Sequence, residues 1–364
     1  MGCREGSVEG LAMTPDFWHG RRVLVTGVTG FKGSWLAMLL ARMGAKVSGL
    51  ALPPPTEPSL FASARLGNVV DWVDGNLLDL GRVTDVIRGK EPEVVFHLGA
   101  QPLVRLSYEQ PVLTFATNVM GTVHVLEAVR SSPAIRAVVV VTSDKCYEDR
   151  PSASAYREED PLGGHDPYAT SKACAELVTT AYRRSFFSAG GPSIATVRAG
   201  NVIGGGDWAR DRIVPDVVSA LAAHRAALIR NPNAVRPWQH VLDPLVGYTE
   251  LAEALCQPRG MTRTAWNFGP DLESMKPVSS LAGTICKVWG GDAAWERQSG
   301  DHAHETATLR IDSARAKTEL GWAPRLTYDT AVEWTAGWYR DVFAGKDARA
   351  RVERQLAAYD ELAA

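Results

Sequence analysis

The chain has 364 residues, 45% of them hydrophobic and 22% charged, with 39 basic and 41 acidic side chains and a formal charge of −2. That balance excludes the basic footprint of a nucleic-acid or membrane-surface binder, and the length admits two domains or one large α/β domain with an appendage. Five widely spaced cysteines with no CxxC pair exclude a disulfide framework and a zinc knuckle, so a reducing, cytoplasmic setting without a metal site is expected.

The N-terminus, "MGCREGSVEGLAMTPDFW", lacks the apolar core of a signal peptide. It begins Met-Gly, but Gly6 stands where a myristoylation signal needs Ser or Thr. Residues 1–16 read as a flexible leader, and no uninterrupted apolar run reaches the ~18 residues of a membrane span. "RRVLVTG" is the first strand, and "KGSWLAMLLARMGA" is a helix with apolar residues at helical spacing as far as Gly44. "KVSGLAL", the Pro-rich loop "PPPTEPS" and a short strand around Val69 to Val73 follow. "PEVVFHLGA" is a buried strand, and "YEQPVLTFATNVMGTVHVLEAVRSS" reads as one long helix.

"AVVVV", starting at Ala137, is five apolar residues that open at once onto Thr142, Ser143, Asp144 and Lys145. In "DPYATSKACAELVTTAYRRSFF", Asp166 can cap a helix and Pro167 suits its first position. "SIATVRAGNVIG" is a further strand. Strands that are apolar throughout, alternating with helices, predict a parallel sheet covered on both faces. After about residue 204 the rhythm gives way to long polar loops and a mainly helical final hundred residues, with "TAWNFGP", near 264–269, returning a strand to the sheet. The expected organisation is a nucleotide-binding domain over 17–204 and a smaller interleaved substrate domain over 205–364.

"VLVTGVTGFKGSW" sets Gly27, Gly30 and Gly33 between the first strand and the first helix. Glycine there permits positive φ and lets a pyrophosphate approach the helix N-terminus. "SGLALPPP", at the end of the second strand, has neither an acid for ribose hydroxyls nor an Arg for a 2′-phosphate, which leaves NAD against NADP open. Asn76 and Leu77, past the third strand, stand where an adenine edge is read, and a polar turn explains them equally well. Tyr168 and Lys172 lie four apart on one helix face, where an ammonium favours the phenolate. Ser143 lies before them in the chain as a donor to the substrate oxygen.

In this order the glycine loop, the hydroxyl and the YxxxK pair resemble the extended short-chain dehydrogenase/reductase superfamily. "GFKGSWL", "GAQPLVRLSYEQP", "NVMGTVHVLEAV", "TSDKCY", "DPYATSK", "RAGNVIGGGDWARDR", "IRNPNAVRPWQHVL" and "WNFGP" narrow the resemblance to the CDP-glucose 4,6-dehydratases over about residues 17–340. It implies a Rossmann-type doubly wound sheet of about seven strands and a C-terminal sugar-nucleotide domain. It also implies a homodimer, or a dimer of dimers, built through a four-helix bundle with helices near 108–131 and 167–187. The implied cofactor is NAD, contacted by Gly27, Thr29, Gly30, Phe31, Lys32, Gly33, Asn76, Leu77, Leu98, Ala100 and Thr117, together with Tyr168 and Lys172. The implied substrate contacts are Gln101, Asn201, Arg236 on the diphosphate, and His304. Trp238 and His240 read as packing.

The family reaction oxidises glucose C4, eliminates water across C5 and C6 and returns the hydride to C6, yielding a 4-keto-6-deoxy sugar that usually feeds dideoxysugar synthesis for surface polysaccharide. Tyr168 would take the C4 hydroxyl proton. Elimination also needs a base and an acid. The related dTDP-glucose enzymes carry Asp-Glu after the catalytic hydroxyl, whereas this chain carries Asp144 and Lys145. Neutral Lys145 would take the C5 proton, or charged Lys145 would stabilise the enolate. Asp144, as the acid, would need a raised pKa, and its ammonium neighbour works against that. The rivals are a sugar-nucleotide 4-epimerase, a dehydratase for a dTDP-, UDP- or GDP-linked sugar, and a silent NAD-binding regulator.

Overall fold

The computed structural model describes residues 15–150, 154–188, 190–257, 263–299 and 309–362. His304 and residues 1–14 of the expected leader lie outside them. Positions 15 and 16 belong to a one-turn helix, α1 (Pro15–Trp18), whose Trp18 is buried in the core. The first unit is β1 (Arg22–Thr26), α2 (Phe31–Arg42) and β2 (Lys46–Ala51). It is followed by α3 (Leu60–Ser63), β3 (Asp71–Asp74), α4 (Leu80–Lys90) and β4 (Val94–His97).

The single long helix expected next is two. Helix α5 (Val104–Glu109) ends before Gln110, and Pro111 starts α6 (Pro111–Phe115). Proline's ring and missing N–H break a continuing helix but suit a first turn. A wide π-type turn, Ala116–Met120, joins α6 to α7 (Gly121–Arg130). Next come β5 (Ala137–Val141), α8 (Pro167–Phe186) and β6 (Ser193–Ala199).

Beyond these lie β7 (Val202–Ile203), α9 (Ile213–Ala222), β8 (Ala227–Ile229), β9 (Val235–Pro237), β10 (Gln239–His240) and α10 (Leu242–Leu255). The described chain closes with β11 (Ala265–Phe268), β12 (Met275–Pro277), α11 (Val278–Trp289), β13 (Trp295–Arg297), α12 (Tyr328–Phe343) and α13 (Ala348–Glu361).

Seven strands form one parallel sheet in the order β11-β6-β5-β4-β1-β2-β3. The order reverses between β1 and β4, and such a switch point opens a crevice at the carboxyl ends of the strands. Ala137, Val139 and Val141 of β5 enter one core cluster, while Val138 and Val140 enter another. Burial on both faces explains why that strand is apolar throughout. Helices α2 and α10 cover the first face, and α4 and α7 the second.

The strand expected from Ser193 to Gly204 ends at Ala199. After Gly200 and Asn201 the chain leaves the main sheet, and β7 pairs with β10. The third strand starts at Asp71, two residues later than its apolar run indicates. The helix Pro111–Arg130 has the length and mean hydropathy (1.3) of a membrane-crossing segment. Thr, Asn and Gly interrupt its apolar run, and it packs against α4 and α8.

Candidate active site

The β1–α2 turn crosses the end of β4 too closely for any side chain. A Cβ on Gly27, where φ is +70°, would stand 2.7 Å from Gly99 Cα, and one on Gly33 would stand 2.2 Å from the Gly27 carbonyl oxygen. Gly30 is the N-cap of α2 and brings no capping side chain, which leaves the first helical amides for an anion. Phe31 and Lys32 open the helix, both half-buried. Thr29 Oγ1 donates to the Leu52 carbonyl at 2.9 Å, tying the turn to β2. Leu98 and Ala100 are half-buried just past β4.

Asn76 acts in a turn: its side-chain oxygen accepts from Leu78 N at 3.0 Å. Leu77 is buried close to Gly99 and Gly121, and its carbonyl bonds His124 Nδ1 at 2.7 Å. Thr117 is half-buried on the wide turn. Its neighbour Asn118 is buried and clamps two site segments. Asn118 Oδ1 accepts from Gln101 N (2.8 Å), and its Nδ2 donates to the Gln101 carbonyl (3.1 Å) and to Ser171 Oγ (2.8 Å).

Ser143 caps a short 3-10 turn, Asp144–Cys146, and its Oγ accepts from Lys145 N at 3.2 Å. The same hydroxyl donates to Asp144 Oδ1 at 3.1 Å and faces the Tyr168 phenol, whose pKa it lowers. Asp144 Oδ2 is buried with no partner and lies over Gly200, where a Cβ would come within 2.9 Å of it. Burial raises the Asp144 pKa above the usual carboxylate value against the opposing pull of Lys145, Ser143, Lys32 and Arg236. The adjacent ammonium works against the raised value, as its position implies, and desolvation outweighs it. Lys145 is half-buried beside a small recess lined by Asp149, His165 and Asp166.

Asp166 caps α8 by accepting from Ala169 N at 2.8 Å, and Pro167 fills the first turn. This sets Tyr168 and Lys172 on the buried face. Burial pushes the phenol up to about 12, with Ser143 and Arg212 pulling it back. Lys172 Nζ donates to the Val141 carbonyl at 3.2 Å, and burial lowers its pKa to about 8 against the pull of Glu176. The phenolate is thus favoured first by Ser143 and Arg212, not by the ammonium the YxxxK spacing brings to mind.

Lys32 reaches the same centre. Burial, then Arg212, lowers it to about 8, while Asp144 raises it. Arg212 was not picked out in the sequence; its Nη1 is held by Asp207 Oδ2 at 2.8 Å. The only sequence signal was the charged run in "GGGDWARDR". Arg236 on β9 is buried and acts on Asp144, and Asn201 is half-buried at the β6–β7 junction. Gln101 turns inward. Its amide bonds Leu103 O (3.1 Å), Thr114 Oγ1 (2.8 Å) and Leu103 N (2.6 Å), so it braces its own loop. Trp238 and His240 are packing residues, His240 lying between Trp35 and Trp334.

A family model described as GDP-mannose 4,6 dehydratase matches residues 24–261. A CDP-glucose 4,6-dehydratase of Salmonella typhimurium is 47% identical over 94% of this chain and 97% of its own. A dTDP-glucose 4,6-dehydratase of Xanthomonas campestris is 25% identical over 87% of this chain and 92% of its own. Among solved structures, a Bacillus anthracis dTDP-glucose 4,6-dehydratase in complex with NAD superposes with a TM-score of 0.74 at 22% identity, covering 88% of this chain and 97% of that one. A Thermotoga maritima UDP-glucose 4-epimerase superposes with 0.75 at 19%, covering 88% and 99%, so the fold alone does not separate the two reactions. The model match and the 47% identity along nearly the whole chain do: it belongs to the family of nucleotide-sugar 4,6-dehydratases.

Proposed function

We propose that this chain converts CDP-glucose to CDP-4-dehydro-6-deoxyglucose and water, with NAD held in the glycine cradle. The observation that carries the reading is Asp144: a buried carboxyl with one unpartnered oxygen, hydrogen-bonded to the serine that also meets the phenol. Its raised pKa lets it keep a proton for a departing hydroxyl, a service an epimerase does not require. The relative's 47% identity supports the cytidine nucleotide.

The cradle fits a dinucleotide. Gly27 and Gly33 leave room that a Cβ would fill, and α2 begins without a side-chain cap. Bound there, the dinucleotide supplies a hydride acceptor for C4 and a hydride donor for C6. Tyr168 takes the C4 hydroxyl proton while Ser143 orients that oxygen. Lys145 removes the C5 proton, and Asp144 protonates the hydroxyl leaving C6. Arg236 and Asn201 contact the nucleotide sugar, with Arg212 adding positive charge beside Tyr168; His304 lies outside the described residues.

A second copy of the chain completes the assembly as a dimer or a dimer of dimers. Support comes from Val112 (82% exposed) and Leu177 (58%), which stand in solvent on the adjacent helices α6 and α8 and offer an apolar surface for pairing with a second copy. A cytoplasmic setting accompanies this reading, since the four described cysteines are all free.

Incubation with CDP-glucose deuterated at C4 tests the reaction. Loss of water with deuterium at C6 is the expected result. A galacto product would establish epimerisation, and no change would leave a regulator. Parallel trials with dTDP-, UDP- and GDP-glucose test the base.

A further inference from the structure

We infer that Glu176, paired with Arg198 beneath the site, is a positioning residue that fixes the turn carrying Ser143, Asp144 and Lys145 and sets a buried anion one helical turn from Lys172. The inference rests on the NAD-binding part of the reading above and not on CDP-glucose as the substrate.

Glu176 lies one helical turn after Lys172 on α8, so the two share a face. Its carboxylate is fully engaged. Arg198 Nε and Nη2 each donate to it at 2.8 Å, Thr142 Oγ1 donates at 2.5 Å and Thr196 Oγ1 at 2.6 Å. Both members of the ion pair are 3% exposed. A buried pair of this kind is seldom more stabilising than apolar residues of the same volume, so its presence calls for another explanation.

The contacts supply one. Thr142 directly precedes Ser143, and Arg198 Nη1 donates to Tyr147 OH at 2.8 Å, just past Cys146. Tyr147 OH donates in turn to Asn267 Oδ1 at 2.7 Å. The ion pair therefore holds both ends of the turn that bears the reacting side chains.

The groups facing Lys172 are Lys32 from α2, His97 from β4, Cys146 from the turn, and Tyr168 and Glu176 from its own helix. Lys32 is cationic. Burial pushes His97 down to about 3, and Thr26 Oγ1 and Thr122 Oγ1 bracket the neutral ring. Burial raises the Cys146 thiol and the Tyr168 phenol, so both are neutral. Glu176 is the anion in the set, held ionised despite burial by Arg198 and the two threonines.

The test follows NAD affinity, by quenching of tryptophan fluorescence, between about pH 7 and 10, the range through which a depressed lysine titrates. All proteins carry Lys32→Met, which removes the other lysine titrating in this range, so affinity falls as Lys172 loses its proton. In Glu176→Gln the midpoint moves down by about one pH unit, the scale of a lost neighbouring opposite charge. Glu176→Asp stays near the Lys32→Met parent. Glu176→Gln with Arg198→Met removes the uncompensated buried cation, so the protein stays folded, and shows the same displacement. An unmoved midpoint in the folded double variant, or a parent affinity indifferent to pH, overturns the inference. Failure of the substrate reading looks different: CDP-glucose is untouched while the NAD titration still shifts between variants.

Discussion

Asp144→Asn separates the acid's chemistry from its structural part. The amide oxygen keeps the bond from Ser143 Oγ (3.1 Å), and the amide nitrogen takes the place of Oδ2, which has no partner over Gly200. An unsatisfied buried N–H costs about 1–3 kcal/mol. The carboxyl it replaces already suffers desolvation of the same kind, so the melting temperature should move by no more than roughly 2–4 °C. The elimination step has no such compensation. Losing a positioned acid slows a reaction by about 10²–10⁴-fold, equivalent to about 3–5 kcal/mol on the barrier. Oxidation at C4 needs no acid at C6 and is retained, so rapid-quench mass spectrometry of a single turnover should find CDP-4-ketoglucose, lighter than substrate by two hydrogens, in place of the dehydrated product. The acid form of Asp144 is lost as pH rises through its raised pKa, so the wild-type dehydration rate falls on the alkaline side while the variant's residual rate stays flat. An Asn variant that dehydrates at more than about a tenth of the wild-type rate would refute the assignment.

Lys145→Met should spare C4 oxidation and block dehydration in the same quench assay; turnover near the wild-type rate removes Lys145 from the elimination. Lys172 has a folded pKa of about 8, below its unfolded value, so the stability it contributes is present above about pH 10.5 and lost as pH falls through 8, up to about 3 kcal/mol. Without NAD, Lys172→Met should therefore melt higher than wild type at pH 7, the gap should close towards pH ~10, and activity should be lost; a lower melting temperature at pH 7 contradicts the burial argument. Val112→Asp combined with Leu177→Lys should yield a folded monomer by sedimentation, because both side chains point into solvent in the single chain. An assembly of unchanged mass removes the two helices from the interface.

Local spacing made much of this legible. The Asp166 cap, Pro167 and the four-residue step from Tyr168 to Lys172 fix the reacting face of α8, and Gly27 and Gly33 mark the cradle because any Cβ there collides with backbone. What escaped depends on distant partners. Arg212 matters because folding carries it to Tyr168 and Lys32, and Asp207 anchors it there. Gln101 looked available for substrate because its three hydrogen bonds form only when its loop closes on Thr114 and Leu103. The pull of Lys145 on Asp144 is legible in the sequence, but the burial that outweighs it is invisible in a tetrapeptide. The end of β6 at Ala199 also escaped, because Val202 and Ile203 continue the apolar pattern while pairing with β10.

Helix α10 has a consequence for engineering. Although it lies after residue 204, it seals one face of the sheet, and β11 adds the outermost strand beside β6. A chimaera that exchanged everything downstream of that point to import another relative's base preference would strip the recipient of a lining helix and an edge strand. Grafts should instead replace the segments on either side of α10 and β11, leaving those two elements native to the host.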